Sequence, residues 1–146
     1  MTPVAFVALI RQDGPRDFIV TFPDVPEAIT QGDTLQQARM AAHDALATAL
    51  AVYLDMERPF PTASQILDEH VAPGSSRWVT AVEPKLAARA RLAAELKSQG
   101  ISKVGLARML GKDEKIVHRM LTGRSASLEA ILEALRAVGV WPALAA

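Results

Sequence analysis

The chain has 146 residues, half of them hydrophobic, and its 16 basic and 16 acidic side chains cancel to a formal net charge of zero. That length supports one or two small globular domains, and the absence of cysteine excludes disulfides and thiolate metal sites and fits a reducing compartment. The apolar stretch 4–10 is short, lacks a basic lead and is followed by Arg11, so it is no secretory signal; no apolar run is long enough to span a bilayer, and the expectation is a soluble, unprocessed, cytoplasmic protein with no membrane contact.

Zero net charge hides a division. Residues 1–83 hold five arginines against eleven acids, a net −6, whereas residues 84–146 hold eleven cations against five acids, a net +6. An acidic half joined to a basic half predicts two different partners, the basic one suited to a polyanion and the acidic one to a basic protein.

In chain order, residues 4–11 are rich in β-formers, and Phe18, Ile19, Val20, Thr21 and Phe22 form a β-branched and aromatic run. The polar stretch Gln12, Asp13, Gly14, Pro15, Arg16, Asp17 between them reads as a hairpin turn. Pro23 and Pro26 break the strand, since neither can donate to a ladder. Residues 28–31 are a short third strand, closed by Gly32 and Asp33. Thr34 with Gln37 has capping-box form and opens a long helix to about Glu57, with Leu35, Ala38, Ala42, Ala45, Leu46, Leu50, Tyr53 and Leu54 as its apolar stripe. Its many alanines predict close packing on a sheet. The proline-rich stretch 58–64 ends it, residues 66–73 are ambiguous, and residues 78–82 read as a last strand. The first domain is therefore β-β-β-α-β over residues 1–83, and Pro84 begins a second, all-α domain over residues 84–146, giving an α+β chain.

In the second domain, residues 86–96 are an Ala-rich helical run carrying Arg89 and Arg91, with Lys97 just beyond, ended by Gly100. Ser102 caps the next helix, in which Leu106 and Leu110 fall one turn apart and the small Ala107 lets another helix cross closely. Gly111 ends that helix where positive φ is required, Asp113 caps the following one, and Gly123 stops it. At about 100° per residue, Ile116, Val117, Met120 and Leu121 share one arc, while Lys115, His118, Arg119 and Thr122 share the opposite arc. A last helix runs from the cap Ser127 to Ala137, with Leu128, Ile131, Leu132 and Leu135 as its buried stripe and Gly139 after it.

Helix, helix-turn-helix, helix is the layout of phage-repressor-like DNA-binding domains, and residues 86–140 resemble that class. Leu106, Ala107, Gly111, Val117 and Gly123 stand at matching places; Gly105 stands where a polar helix former is usual and costs roughly 1 kcal/mol of helix propensity. In this reading Lys115 and Arg119 reach base edges, because cations of that length can meet guanine O6 and N7. His118 contacts a base or phosphate. Lys103, Lys112 and Arg124 neutralise phosphates, and Ser102 donates to phosphate at a helix N-terminus. One such unit reads few base pairs, so a dimer on a palindrome with half-sites roughly 34 Å apart is expected.

The first domain carries a more specific resemblance. Phe22, Pro23, Asp24, Val25 and Pro26, then Ile29 to Leu35 as Ile-Thr-Gln-Gly-Asp-Thr-Leu, then Ala38, Ala42 and Ala45 on a helix with prolines after it, are together similar to the HicB antitoxin family, in its branch with a C-terminal helix-turn-helix. Glu27 stands where glycine is frequent, and Gln36-Gln37 replaces the usual acidic pair. The resemblance implies a first domain with a pared-down ribonuclease H fold that has lost catalysis and that blocks HicA, a small basic mRNA-cleaving toxin. It implies a second domain that binds operator double-stranded DNA of its own operon, in a homodimer or dimer of dimers, with no cofactor. It singles out no residue for toxin contact.

Two readings of other classes stand beside it. A two-metal nuclease needs converging carboxylates, but Asp13, Asp17, Asp24 and Asp33 fall in turns and breaks and read as turn formers and caps. A transcriptional repressor whose first domain senses a ligand or only dimerises, without a toxin, is the other. His43, His70 and His118 share no metal-ligand spacing, and neither a nucleophile elbow nor a phosphate-cradling glycine loop is present. Trp78 and Trp141 read as packing residues.

Overall fold

The computed structural model of the protein describes residues 5–63, 74–122 and 125–141. Its elements are β1 (Ala5–Gly14), β2 (Asp17–Thr21), β3 (Ile29–Gly32), α1 (Leu35–Asp55), β4 (Ser75–Ala81), α2 (Pro84–Gln99), α3 (Lys103–Leu110), α4 (Glu114–Thr122) and α5 (Leu128–Ala137). The chain is α+β, an antiparallel sheet first and helices after. The described residues part into two compact units, one within Pro3–Val52 and Phe60–Glu83, the other within Tyr53–Pro59 and Pro84 onward. The end of α1 and the residues leaving it thus group with the helical unit.

In the first unit the strands lie in the order β3-β2-β1-β4, every neighbour antiparallel. β1 is longer than its apolar run and extends through Gly14, β2 starts one residue early at Asp17, and the register shifts between Gln12 and Gly14. A bulge of this kind absorbs an extra residue and twists the ribbon, so the expected six-residue turn shrinks to Pro15 and Arg16. Alternation then sorts the faces. Phe6, Ala8, Ile10, Val20 and Thr80 are buried on one face, while Val79 and Ile29 are exposed on the other.

α1 supplies the cover for the buried face. Ala38, Ala42, Leu46 and Leu50 are fully buried at helical spacing, the stripe expected of a helix laid on a sheet. The approach at its start requires a glycine: a Cβ on Gly32 would lie 2.4 Å from the Ala38 nitrogen. The capping box forms with one change. The Gln37 amide donates to Thr34 Oγ1 at 3.1 Å, but the Gln37 side chain accepts from the Asp33 amide, at 3.1 Å, one residue before the cap. Arg39 lies over the Trp78 ring at 4.1 Å, which half-buries the tryptophan as a packing residue.

In the second unit α2 starts on Pro84, where the missing amide hydrogen costs nothing. Leu92, Leu106, Val117, Met120, Ile131, Ala134 and Leu135 form the core. Leu128 and Leu132 only flank it, with Ala134 taking the buried place on α5. Gln99 ties the end of α2 to the end of α5 by donating to the Val138 carbonyl at 2.9 Å. The same amide and the Arg91 guanidinium hold the Glu95 carboxyl below the usual carboxylate range. Trp141 corrects one expectation: it is 77% exposed, with the Arg136 guanidinium 5.8 Å from the ring centre. It follows the turn at Gly139 that has already ended α5, so no helix face carries it inward. Residues 66–73, with His70, lie outside the described residues.

Candidate nucleic-acid interface

Each residue between α3 and α4 has a local reason for its place. Ser102 is extended (φ −76°, ψ 163°) and its hydroxyl accepts from the Gly105 amide at 3.0 Å. A Cβ on Gly105 would lie 3.2 Å from that same oxygen, so the glycine that weakens the helix also leaves the cap uncrowded. Gly111 adopts the left-handed conformation (φ 64°, ψ 34°) and ends α3. The next amide, of Lys112, reaches back to the Ala107 carbonyl at 2.9 Å, the closure of a left-handed helix end. Asp113 Oδ1 then accepts from the Lys115 amide at 2.9 Å and opens α4. Gly111 and the Asp113 cap fix the turn between the helices, and the Ser102 cap fixes the start of α3.

That turn decides which way α4 faces. Val117, Met120 and Leu121 are buried, at i, i+3 and i+4. Lys115, His118 and Arg119 are exposed on the other side. Ile116 departs from the wheel: it is 42% exposed rather than inward. It sits about 100° from Val117, and a helix of this length is covered over only part of its circumference. Thr122 turns back on its own helix, donating to the His118 carbonyl at 2.8 Å.

The remaining site residues are spread around this face. Lys103, at the first position of α3, lies 3.1 Å from Glu57 Oε1 and 3.4 Å from His118 Nδ1. Lys112 lies 3.5 Å from Glu133. Among the described residues the side chains of Lys115 and Arg119 meet no ionic or hydrogen-bond partner. Arg124 lies outside the described residues. The result is a short helix offering two uncommitted cations and an imidazole, flanked by two cations in solvent-exposed pairs. Such pairs are weak and can be exchanged for phosphate.

Two residues of this region carry no sequence cue. Arg89 looks like a surface cation, yet it is buried and donates to the Leu121 carbonyl at 3.1 Å, with Asp55 Oδ1 3.7 Å away. Glu57 lies 46 residues from the lysine it meets. The carboxylates considered for metal chemistry are dispersed: Asp33 pairs with Arg16 at 3.1 Å and Asp13 lies 4.0 Å from Arg11. Among the described residues no three His, Cys, Asp or Glu side chains stand close enough to hold a metal ion. No described helix is long and apolar enough to cross a membrane.

A small antiparallel α+β unit followed by a helical unit is the two-part class of fold that this chain adopts. Comparison with known proteins makes the class specific. Residues 5–72 match the family model described as the HicB-like antitoxin of bacterial toxin–antitoxin systems. Antitoxin HicB 2 of Photorhabdus laumondii is 34% identical over 121 residues, covering 82% of this chain and 81% of that protein. Antitoxin HicB of Escherichia coli K12 is 30% identical over 123 residues, 84% of each chain. In fold, the crystal structure of the Burkholderia pseudomallei antitoxin HicB aligns with a TM-score of 0.50 at 15% identity, covering 75% of this chain and 94% of that one. The chain belongs to the HicB antitoxin family. Its role is that of an antitoxin in a toxin–antitoxin system, and its relatives are named as antitoxins rather than enzymes.

Proposed function

We propose that the protein neutralises a HicA-like mRNA-cleaving toxin through residues 1–83 and represses its own operon through residues 84–146, acting in the cytoplasm as a homodimer or dimer of dimers. The observation that carries the DNA half is the two-faced α4, with Val117, Met120 and Leu121 buried and Lys115, His118 and Arg119 turned out. A helix held from behind by a packed core, with its one acid, Glu114, at the border of the cationic face, suits entry into a major groove. Lys115 and Arg119 are assigned to base edges, His118 to a base or phosphate, and Ser102, Lys103, Lys112 and Arg124 to the phosphate backbone. Charge supports the division: the net −6 of residues 1–83 suits a basic toxin and the net +6 of residues 84–146 suits DNA.

Gel shift on the promoter duplex tests the assignment. Lys115→Ala and Arg119→Ala should each weaken binding by about 1–3 kcal/mol and relax selectivity at one base position. Unchanged affinity in both would reject α4 as the reader. Co-purification with the product of the neighbouring gene tests the toxin half.

A further inference from the structure

Glu57 is the one non-glycine residue with positive φ (55°) among the described residues. It stands just past the end of α1, where the Arg58 amide closes on the Tyr53 carbonyl at 2.8 Å and the Glu57 amide on Leu54 at 3.0 Å. A helix ended this way takes glycine at that place, because a Cβ there is strained. The strain has no local return: the exposed glutamate side chain reaches Lys103, 46 residues on. Lys103 is also the cation that stands 3.4 Å from His118 on α4. Strain held at one residue points to a task performed by that residue.

We propose that Glu57 sets the affinity of the DNA interface by competing with phosphate for Lys103. The inference rests on the reading of α3 and α4 given above. With Oε1 3.1 Å from Nζ, the carboxylate occupies the ammonium that a backbone phosphate would take at the start of α3, and it repels that phosphate. Binding then requires the lysine to leave the glutamate, or the two anions to share it. The pair is solvent-exposed, 33% on the lysine and 72% on the glutamate, so the effect is modest: a weak ion pair corresponds to roughly a two- to fivefold change in binding.

The test is a titration of the full-length protein against a labelled duplex spanning the promoter, over a range of salt. Glu57→Gln should bind about two- to fivefold tighter at low salt and steepen the slope of log K against log salt by about 0.9, one further phosphate neutralised. Glu57→Gly should do the same while raising the unfolding midpoint, because it removes the charge and the strain together. In a Lys103→Ala background Glu57→Gln should change nothing, which separates a specific competition from the general loss of one negative charge. Unaltered affinity and slope in both Glu57 variants, with Lys115→Ala still weakening binding, would overturn the inference and leave the reading of α4 standing. An equal gain with and without Lys103 would also overturn it. Promoter binding indifferent to Lys115, Arg119 and Glu57 alike would overturn both.

Discussion

Arg89 carries a full charge at 3% exposure, and a lone buried guanidinium would be costly. What compensates it is the end of α4. The last carbonyls of a helix lack intrahelical donors and sit at the negative end of its dipole, and Arg89 donates to one of them, that of Leu121, through the same nitrogen that stands 3.7 Å from Asp55 Oδ1. The residue therefore fixes the C-terminal end of the helix whose outer face carries Lys115 and Arg119. Arg89→Met keeps much of the volume and removes the donors, leaving the Leu121 carbonyl without this partner. A loss of about 2–3 kcal/mol is expected, most of it from the carbonyl, because Asp55 is half in water. Urea unfolding of the full chain measures it, and an unmoved midpoint would show that the guanidinium does not hold the helix end. Nothing in the sequence announces this: an arginine in an Ala-rich amphipathic run reads as a solvated face, and only the packing of α2 against α4 turns it inward.

At the scale of the element, the turn between α3 and α4 is held by local chemistry, and for that reason it was legible. Ser102, Gly111 and Asp113 act within a few residues of themselves, and each performs the capping role its residue type implies. The strands were legible by composition but not in extent, because the shift between Gln12 and Gly14 depends on pairing with β2. Ile116 was misplaced because periodicity gives an arc without saying how much of it neighbours will cover, and Trp141 because residue type alone does not say whether anything lies against it. Glu57 stayed hidden because no residue pattern marks a glutamate as left-handed. Gly111 gives the clean prediction. A Cβ there meets nothing within 4 Å, so Gly111→Ala tests backbone conformation alone and should cost about 1–2 kcal/mol. Gly111→Asn should recover part of the loss, since asparagine tolerates this region better. Equal stability of all three in thermal unfolding would mean that the turn does not depend on the left-handed residue.

For the whole molecule the division of charge has a consequence that single sites do not. A chain of formal net charge zero gains little long-range attraction to DNA from its total charge, so recognition depends on where the cations are concentrated. If toxin neutralisation belongs to residues 1–83 and operator binding to residues 84–146, the two activities are separable by surface substitutions that leave both cores untouched. Lys115 and Arg119 are exposed and outside the core of their unit, so the double variant Lys115→Ala, Arg119→Ala should fold with an unchanged melting temperature. It should lose repression of a promoter fusion in cells and still protect those cells from the co-expressed toxin. Protection and repression falling together, in a variant whose melting temperature matches the parent, would mean that the helical unit also contacts the toxin. Persistence of repression would instead mean that DNA is read by some other surface, and the split of acid from base along the chain would then have to answer to a different pair of partners.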